Sequence, residues 1–130
     1  MADLNVGDPI PELRVTPDKY LPHRYAGASG DFNPIHIDEE FAKAVGLPRT
    51  ILHGLYGMGL TAKANAALAD GDPRALKRLK VQFRGMGFPE QEIVVTGTVK
   101  SVEGNRVTVG TAARQGETEI IKNAEAELEL

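Results

Sequence analysis

The sequence predicts an α+β domain in which an antiparallel sheet wraps around one central helix. Two observations favour this class. The chain changes texture at about Asp70, from helical and loop-rich to strand-rich, and residues 54–69 are apolar nearly all round, as in a buried helix. A length of 130 residues is typical of one domain, so we expect residues 1–130 to form a single domain.

Two helices are predicted before the change in texture. Residues 39–45 form a short helix, because Asp38 can cap its first turn, Gly46 stands where a glycine commonly ends a helix, and Pro48 prevents continuation. The second helix covers residues 54–69. Its small residues predict that other elements approach it closely: Gly57, Gly59, Ala62, Ala64, Ala66 and Ala67.

Four strands are predicted in the second half of the chain. In residues 76–83, the apolar Leu79, Val81 and Phe83 alternate with charged and polar side chains, which is typical of a strand with one wet face. Tight turns that contain glycine separate the last three strands. These strands are predicted at residues 92–102, 106–113 and 118–130.

The composition excludes several functional classes. With 15 Lys and Arg against 18 Asp and Glu, the net charge is −3, so we expect no binding to nucleic acid. The lack of cysteine excludes disulfides, thiolate metal ligands and cysteine nucleophiles. The first residues do not resemble a secretory signal, and no apolar run is long enough to cross a membrane. We therefore expect a cytoplasmic protein without a membrane partner.

The residues that carry chemistry lie between positions 25 and 59. Residues 29–34 are dense in turn formers, so we expect Asp31, Asn33 and His36 on an ordered loop rather than in a regular element. A carboxylate five residues before an imidazole, across a turn, can place both groups on one water molecule. Such a pair can act as an acid–base couple near neutral pH.

A second group of atoms lies at the predicted start of the buried helix. The unpaired N–H of Gly54, together with the positive end of the helix dipole, can stabilise a developing oxyanion. Glycine also has no side chain to block the approach of a substrate. We expect the preceding His53 to be a hydrogen-bonded structural group and leave it outside the catalytic set.

This segment resembles the MaoC-like hydratase family of hot-dog-fold proteins. The family motif reads Y-A-x-x-S-G-D-x-N-P-I-H, then D-x-x-x-A-x-x-x-G, then H-G and a glycine within a helix. The match covers about a quarter of the chain. The matching residues are Tyr25, Ala26, Ser29, Gly30, Asp31, Asn33, Pro34, Ile35, His36, Asp38, Ala42, Gly46, His53, Gly54 and Gly59.

The resemblance implies a hydro-lyase that reversibly adds water, syn, to a trans-2-enoyl thioester and gives an (R)-3-hydroxyacyl thioester in fatty-acid or related acyl metabolism. It implies that Asp31 and His36 hold and activate the water, that Asn33 and Ser29 support their loop, and that the N–H of Gly54 receives the thioester oxygen. We favour His36 as the base toward water and Asp31 in the return transfer. The opposite assignment fits the sequence equally well.

The resemblance implies no metal and no redox cofactor. His36, Asp38 and His53 formally spell a two-histidine, one-carboxylate iron site, but Asp38 is already explained as a helix cap. The thioester carrier is either coenzyme A or acyl carrier protein. We expect a dimer of hot-dog subunits, identical or related, because a wrapped sheet leaves strand edges that pairing would cover.

We expect Leu55, Tyr56 and Met58, from the predicted central helix, to contribute to the acyl pocket. The family's usual His-Gly-Met reads His-Gly-Leu here, a change that nearly conserves volume. The length of the acyl chain is not specified by these residues.

Two other functions are compatible with a hot-dog domain. One is hydrolysis of an acyl thioester, and the other is a non-catalytic role as one subunit of a heteromeric dehydratase. The spacing of Asp31, Asn33 and His36, followed by His53 and Gly54, favours the hydratase over both.

A basic stripe on one predicted strand comprises Arg78, Lys80 and Arg84. These side chains either neutralise the phosphates of coenzyme A, or meet an acidic carrier protein, or simply form a solvated strand face.

Overall fold

The computed structural model describes residues 3–130. Within them, one antiparallel sheet packs against a set of helices. The strands are β1 (Leu13–Val15), β2 (Leu76–Phe83), β3 (Ile93–Glu103), β4 (Arg106–Gln115) and β5 (Thr118–Glu129). The helices are α1 (Leu21–Ser29), α2 (Pro34–Ile37), α3 (Glu39–Ala44) and α4 (Gly54–Ala66), with 3-10 turns at Ala67–Ala69 and Pro73–Ala75. None of the helices in this range is long and apolar enough to cross a membrane.

The strands lie in the order β1-β3-β4-β5-β2, and all neighbours are antiparallel. Tight turns join β3 to β4 and β4 to β5, and Gly104 and Gly116 adopt positive φ angles of 62° and 58° in these turns. Strand β2 pairs with β5, so the first long strand and the last one are neighbours. The four predicted strands are confirmed, and β4 extends two residues beyond its predicted end.

Helix α4 packs against the sheet, and the hydrophobic core lies between them. Its side chains contact apolar residues of the strands, among them the fully buried Ile93, Val109, Ile121 and Leu128. A Cβ on Gly57 would lie 3.2 Å from Ile121 Cδ1, so glycine permits the close approach expected of this helix. Burying an aliphatic side chain of this size contributes about 1.5–3 kcal/mol to the free energy of folding. The predicted α+β class, with a sheet wrapped around a central helix, is confirmed.

The predicted helix 54–69 divides into two parts. Helix α4 ends at Ala66, and a 3-10 turn continues to Ala69 before Asp70 and Gly71 adopt positive φ angles. The tighter turn closes the helix end, as 3-10 geometry commonly does.

The first half of the chain contains three elements that the sequence did not predict. Strand β1 adds to the sheet beside β3, and α1 precedes the motif. The third is α2, which contains His36, so the expectation that His36 lies on an ordered loop rather than in a regular element is wrong. Asn33 Oδ1 accepts a hydrogen bond from the N–H of Ile35 at 3.2 Å, and Pro34 occupies the first helical turn. Turn formers in this order also start a helix.

The predicted helix 39–45 is confirmed as α3. Asp38 Oδ1 accepts a hydrogen bond from the N–H of Phe41 at 3.1 Å, and Gly46 has a φ angle of 96°. Asp38 therefore caps a helix and lies outside the group of ionisable residues described next.

Candidate active site

A cavity of about 180 Å³ opens beside the N-terminus of α4. His36, His53 and Gly54 lie on its wall together with apolar side chains of the sheet, which include Ile93 and Ile121. Three segments of the motif meet here: α2, residues 51–53, and the first turn of α4. The loop before α2 lies behind them and contributes no residue to the cavity wall. The cavity thus has a polar part formed by the motif and an apolar part formed by the sheet.

Asp31 lies on a turn fixed by its neighbours. Its N–H donates to Ser29 Oγ at 3.1 Å, and its Oδ1 accepts from the N–H of Asn33 at 3.2 Å. The other oxygen, Oδ2, is 3.9 Å from His36 Nε2, and the Asp31 side chain is 53% exposed. This separation exceeds a direct hydrogen bond, but one water molecule can reach both atoms with contacts of about 2.8 Å. Ser29 and Asn33 thus both hydrogen bond within this loop.

His36 is buried, and one ring nitrogen is already engaged. Its Nδ1 lies 2.8 Å from the carbonyl oxygen of Ile51. Because a carbonyl only accepts hydrogen bonds, Nδ1 must carry the proton. The neutral ring then presents a bare Nε2 toward Asp31, and this nitrogen can accept a proton from a bound water.

His53 is 3% exposed and is the residue before the first turn of α4. Its Nε2 donates to the backbone carbonyl oxygen of Asp31 at 3.0 Å. Its ring stacks on that of His36, with centroids 3.9 Å apart and an angle of 22° between planes, and Tyr25 packs on it at 4.6 Å. His53 is therefore hydrogen-bonded, as expected, and it directly adjoins both predicted catalytic residues.

Gly54 is the first residue of α4 and lines the cavity. The first N–H groups of a helix have no partner within the helix, and the helix dipole places partial positive charge there. A Cβ on residue 54 would lie 3.1 Å from Phe83 Cδ1. Among residues 3–130, the N–H of Gly54 has no hydrogen-bond acceptor. The position therefore combines an unpaired donor with a tight fit that a glycine meets best.

Tyr56 also lines the cavity, and burial raises the pKa of its hydroxyl. The group therefore remains protonated at neutral pH. Of the three residues predicted for the acyl pocket, Tyr56 alone lies on the cavity wall. Leu55 is 61% exposed, and Met58 packs against the core instead. Leu55 and Met58 lie about 100° and 200° around the helix from Tyr56, so their side chains leave α4 in other directions.

The segment after β2 forms another wall of the cavity through Gly85, Met86 and Gly87. Gln115 holds this segment from β4: its Oε1 accepts from the N–H of Phe88 at 2.8 Å, and its Nε2 donates to the carbonyl oxygen of Phe88 at 2.7 Å. Gln115 was not among the residues predicted from the sequence. A polar residue in a strand ordinarily indicates a wet face, but this side chain is buried with its amide fully engaged.

Asp31, His36 and His53 have side-chain ligand atoms within 4.8 Å of one another. An imidazole binds a metal in the plane of its ring, at about 2.0–2.1 Å from the nitrogen. Two stacked rings direct their lone pairs along nearly parallel planes, which do not converge on one ion. Both histidines also use one nitrogen for a backbone carbonyl, so the three residues fit one metal ion only if the rings separate.

Comparison with known proteins places this geometry in a family. The sequence model described as "MaoC like domain" matches residues 7–121. The chain is 39% identical over 105 residues to the peroxisomal enoyl-CoA hydratase 2 of Arabidopsis thaliana, a match that covers 80% of this chain and 32% of the relative. It is 42% identical over 94 residues to the enoyl-CoA hydratase ChsH3 of Mycobacterium tuberculosis, covering 72% and 30%. The chain thus spans about a third of the length of these relatives.

A solved structure described as a MaoC-like dehydratase superposes with a TM-score of 0.92 at 33% sequence identity. The superposition covers 98% of this chain and 41% of that chain. The predicted family and the predicted hot-dog fold are therefore both confirmed. The sheet, the central helix and the matched residues together establish that this chain belongs to the MaoC-like domain family.

Proposed function

We propose that this chain catalyses the reversible syn hydration of trans-2-enoyl thioesters to (R)-3-hydroxyacyl thioesters. The observation that carries the proposal is the Asp31–His36 pair, separated by 3.9 Å, with His36 on the wall of the same cavity as Gly54. The pair can hold one water molecule, and the helix N-terminus can hold the thioester oxygen. The names of the two curated relatives, both enoyl-CoA hydratases, support the same reaction.

The reaction begins with the water held between Asp31 and His36. The water oxygen bonds to Cβ of the enoyl group while His36 Nε2 takes one proton, and the π electrons move to form an enolate on the thioester oxygen. The N–H of Gly54 stabilises the negative charge that develops there. A second water molecule that enters between the pair carries this proton from His36 to Asp31, and Asp31 delivers it to Cα on the same face. This completes the addition of one water and restores both residues.

The reverse assignment gives the same balance of atoms: Asp31 takes the proton, and His36 returns it to Cα. We favour His36 as the first acceptor because its Nε2 is bare and faces Asp31, whereas Nδ1 is committed to the carbonyl of Ile51. Neither route needs a metal or a redox cofactor, and we propose that the enzyme uses none.

The acyl group would occupy the apolar part of the cavity. Its volume of about 180 Å³ is below the ~300–1,000 Å³ typical of ligand pockets, which favours short acyl chains. The carrier, coenzyme A or acyl carrier protein, remains outside this cavity in the proposal. Kinetics with both carriers across a series of chain lengths would separate these preferences.

We also propose that the working unit is a pair of hot-dog subunits, identical or related. Apolar side chains around the cavity are exposed on this chain, including Phe83 and Met86 at 55% and 45%. Strand β2, which carries Phe83, has β5 on one side and an open edge on the other. A second subunit would cover these groups, and sedimentation of the purified protein measures the pairing.

For location, we propose the cytoplasm, because a cysteine-free composition suits a reducing compartment. Fractionation of cells that express the tagged full-length protein tests this. Recovery in an organelle fraction, as the name of the Arabidopsis relative would suggest, would contradict it.

The central test uses crotonyl-CoA and the purified protein. We expect loss of the absorbance of the conjugated enoyl thioester, no release of free thiol, and an (R)-configured product. Asp31→Asn and His36→Ala should each lower kcat by about 10²–10⁴-fold, because general acid–base catalysis contributes that much. Release of thiol without hydration would indicate a hydrolase. No turnover with short or long chains, by the protein alone, would contradict catalysis by this chain.

A further inference from the structure

We propose that His53 is a positioning residue that holds Asp31 and His36 in their working arrangement, and that it does so as the neutral tautomer with the proton on Nε2. This inference rests on the proposed hydratase reaction. In that reaction Asp31, His36 and Gly54 are the groups that touch substrate or water, and His53 acts through them.

The contacts of His53 reach both halves of the water-activating pair. Its Nε2 hydrogen bonds to the backbone oxygen of Asp31 at 3.0 Å, and its ring covers one face of the His36 ring at 3.9 Å. The side chain of Asp31 is half exposed, so packing does little to fix it. Its backbone, by contrast, is tied to a buried ring. His53 therefore limits the movement of the carboxylate relative to the imidazole.

His53 also helps to place the oxyanion donor, because it is the neighbour of Gly54 in the chain. His53 directly precedes Gly54, and its own backbone carbonyl accepts a hydrogen bond from the N–H of Tyr56 in the first turn of α4. One residue thus connects the loop of Asp31 to the helix start. The distance between the bound water and the bound thioester oxygen depends on this connection.

The hydrogen bonds require opposite tautomers in the two stacked rings. His36 donates from Nδ1 to Ile51, and His53 donates from Nε2 to Asp31, because each acceptor is a carbonyl oxygen. His36 consequently offers a bare Nε2 to water. His53 keeps its bare Nδ1 buried, where no partner lies within the described residues.

The unpartnered Nδ1 explains why His53 would stay neutral. Protonation would place an N–H without an acceptor in a buried position, and it would put a positive charge against the face of His36, which itself accepts a proton during the reaction. A neutral His53 avoids both costs. It therefore serves as a fixed donor and leaves proton transfer to its neighbour.

The tautomers are tested without any substrate. The chain contains three histidines, so nitrogen-15 NMR of the labelled protein resolves each one when His23→Gln assigns the exposed ring and His36→Ala assigns the stacked neighbour of His53. We expect His53 protonated at Nε2 and His36 protonated at Nδ1 at neutral pH. An Nδ1–H tautomer or a cationic ring at His53 would overturn the proposal.

A pair of variants tests the positioning role. His53→Gln can keep a donor near the carbonyl of Asp31, whereas His53→Leu removes it, and both remove the stacked ring. With crotonyl-CoA we expect His53→Leu to lose about 100-fold in kcat, because misplacement by about 1 Å costs that much. His53→Gln should retain kcat about tenfold above the Leu variant, and KM should change little in both.

The thermal midpoint Tm of each variant separates positioning from folding. We expect both variants to be fully folded at the assay temperature. Equal kcat values for the two variants, an unchanged kcat in His53→Leu, or a loss that appears only in KM would contradict the proposal. If the wild-type protein hydrates no enoyl thioester, the proposed function fails, and the tautomer measurement still decides whether His53 is the neutral donor described here.

Discussion

The two ends of α4 lie in very different surroundings. At the N-terminal end, Gly54 and Leu55 are exposed, and Gly54 lines the cavity. Toward the C-terminal end, Thr61 and Asn65 are fully buried, and Asn65 Nδ2 donates to Thr111 Oγ1 of β4 at 3.1 Å. The C-terminal end, with Thr61 and Asn65, is the far end; it fixes the helix to the sheet through apolar packing and a buried amide. The N-terminal end, with Gly54 and Leu55, is the near end, and it can therefore leave N–H donors unpaired for a substrate.

Along α4, the largest effect is expected from removing the N–H donor at the N-terminal end. Gly54→Pro deletes the N–H, yet proline suits the first turn of a helix, and His53 already has the extended backbone that precedes proline (φ −63°, ψ 137°). We expect kcat for crotonyl-CoA hydration to fall about 10²–10³-fold, the cost of losing one oxyanion donor. Gly54→Ala is the control, since it keeps the N–H but adds a Cβ near Phe83. Equal losses in both variants would mean that crowding, and not the donor, is responsible.

A substitution at the far end should lower the free energy of unfolding and leave kcat unchanged. Asn65→Ala removes the hydrogen bonds to Thr61 and Thr111 and leaves a small cavity. The free energy of unfolding should fall by about 2–4 kcal/mol, as measured by chemical denaturation. The kcat of the folded fraction should match the wild type. A large loss of kcat with unchanged stability would show that the two ends are not separate in function.

An intermediate effect is expected at the wall beside the near end. Gln115→Met keeps the approximate size of the side chain but removes its hydrogen bonds to Phe88. The Gly85–Gly87 part of the wall should loosen, so KM for enoyl thioesters should rise about 3–10-fold while kcat changes less. The matched control is Gln82→Met, which replaces an exposed glutamine on β2. An unchanged KM across short and long chains would show that Gln115 has no influence on the pocket.

The smallest effect is expected on the exposed strand surface. Arg78 pairs with Glu127 at 3.1 Å, so much of its charge is already compensated. We expect Arg78→Ala to change KM less than about twofold at any salt concentration. If KM of the wild type rises steeply with salt and this dependence disappears in Arg78→Ala, the residue binds the carrier and the solvated-face interpretation is wrong.

The features that could be predicted from the sequence are those that depend on local patterns. Strands β2 to β5 and helix α4 were predictable because their apolar residues repeat with a clear period and glycines mark the turns. The motif gave Asp31, His36 and Gly54, and the structure places them around one site. Local patterns and a dense motif sufficed for these features.

Other features depend on contacts between distant positions. Helix α1 buries only Pro22 and Ala26, so it shows no apolar stripe, and β1 has only three residues. Gln115 reaches a segment 27 residues earlier, and His53 reaches Asp31 across 22 residues. No local pattern records such pairs, because their partners are backbone atoms that every residue possesses.

The sheet edges have a consequence for assembly. Strand β1 closes one edge with three residues, whereas β2 leaves eight residues at the other edge. Within the described residues, β2 is therefore the one long edge strand to which another sheet can pair. If two copies pair through β2 about a two-fold axis, the β2 edge of each copy is fully used. A third copy then has no free β2 edge with which to pair. The inequality of the edges thus favours closed pairs over open-ended fibres.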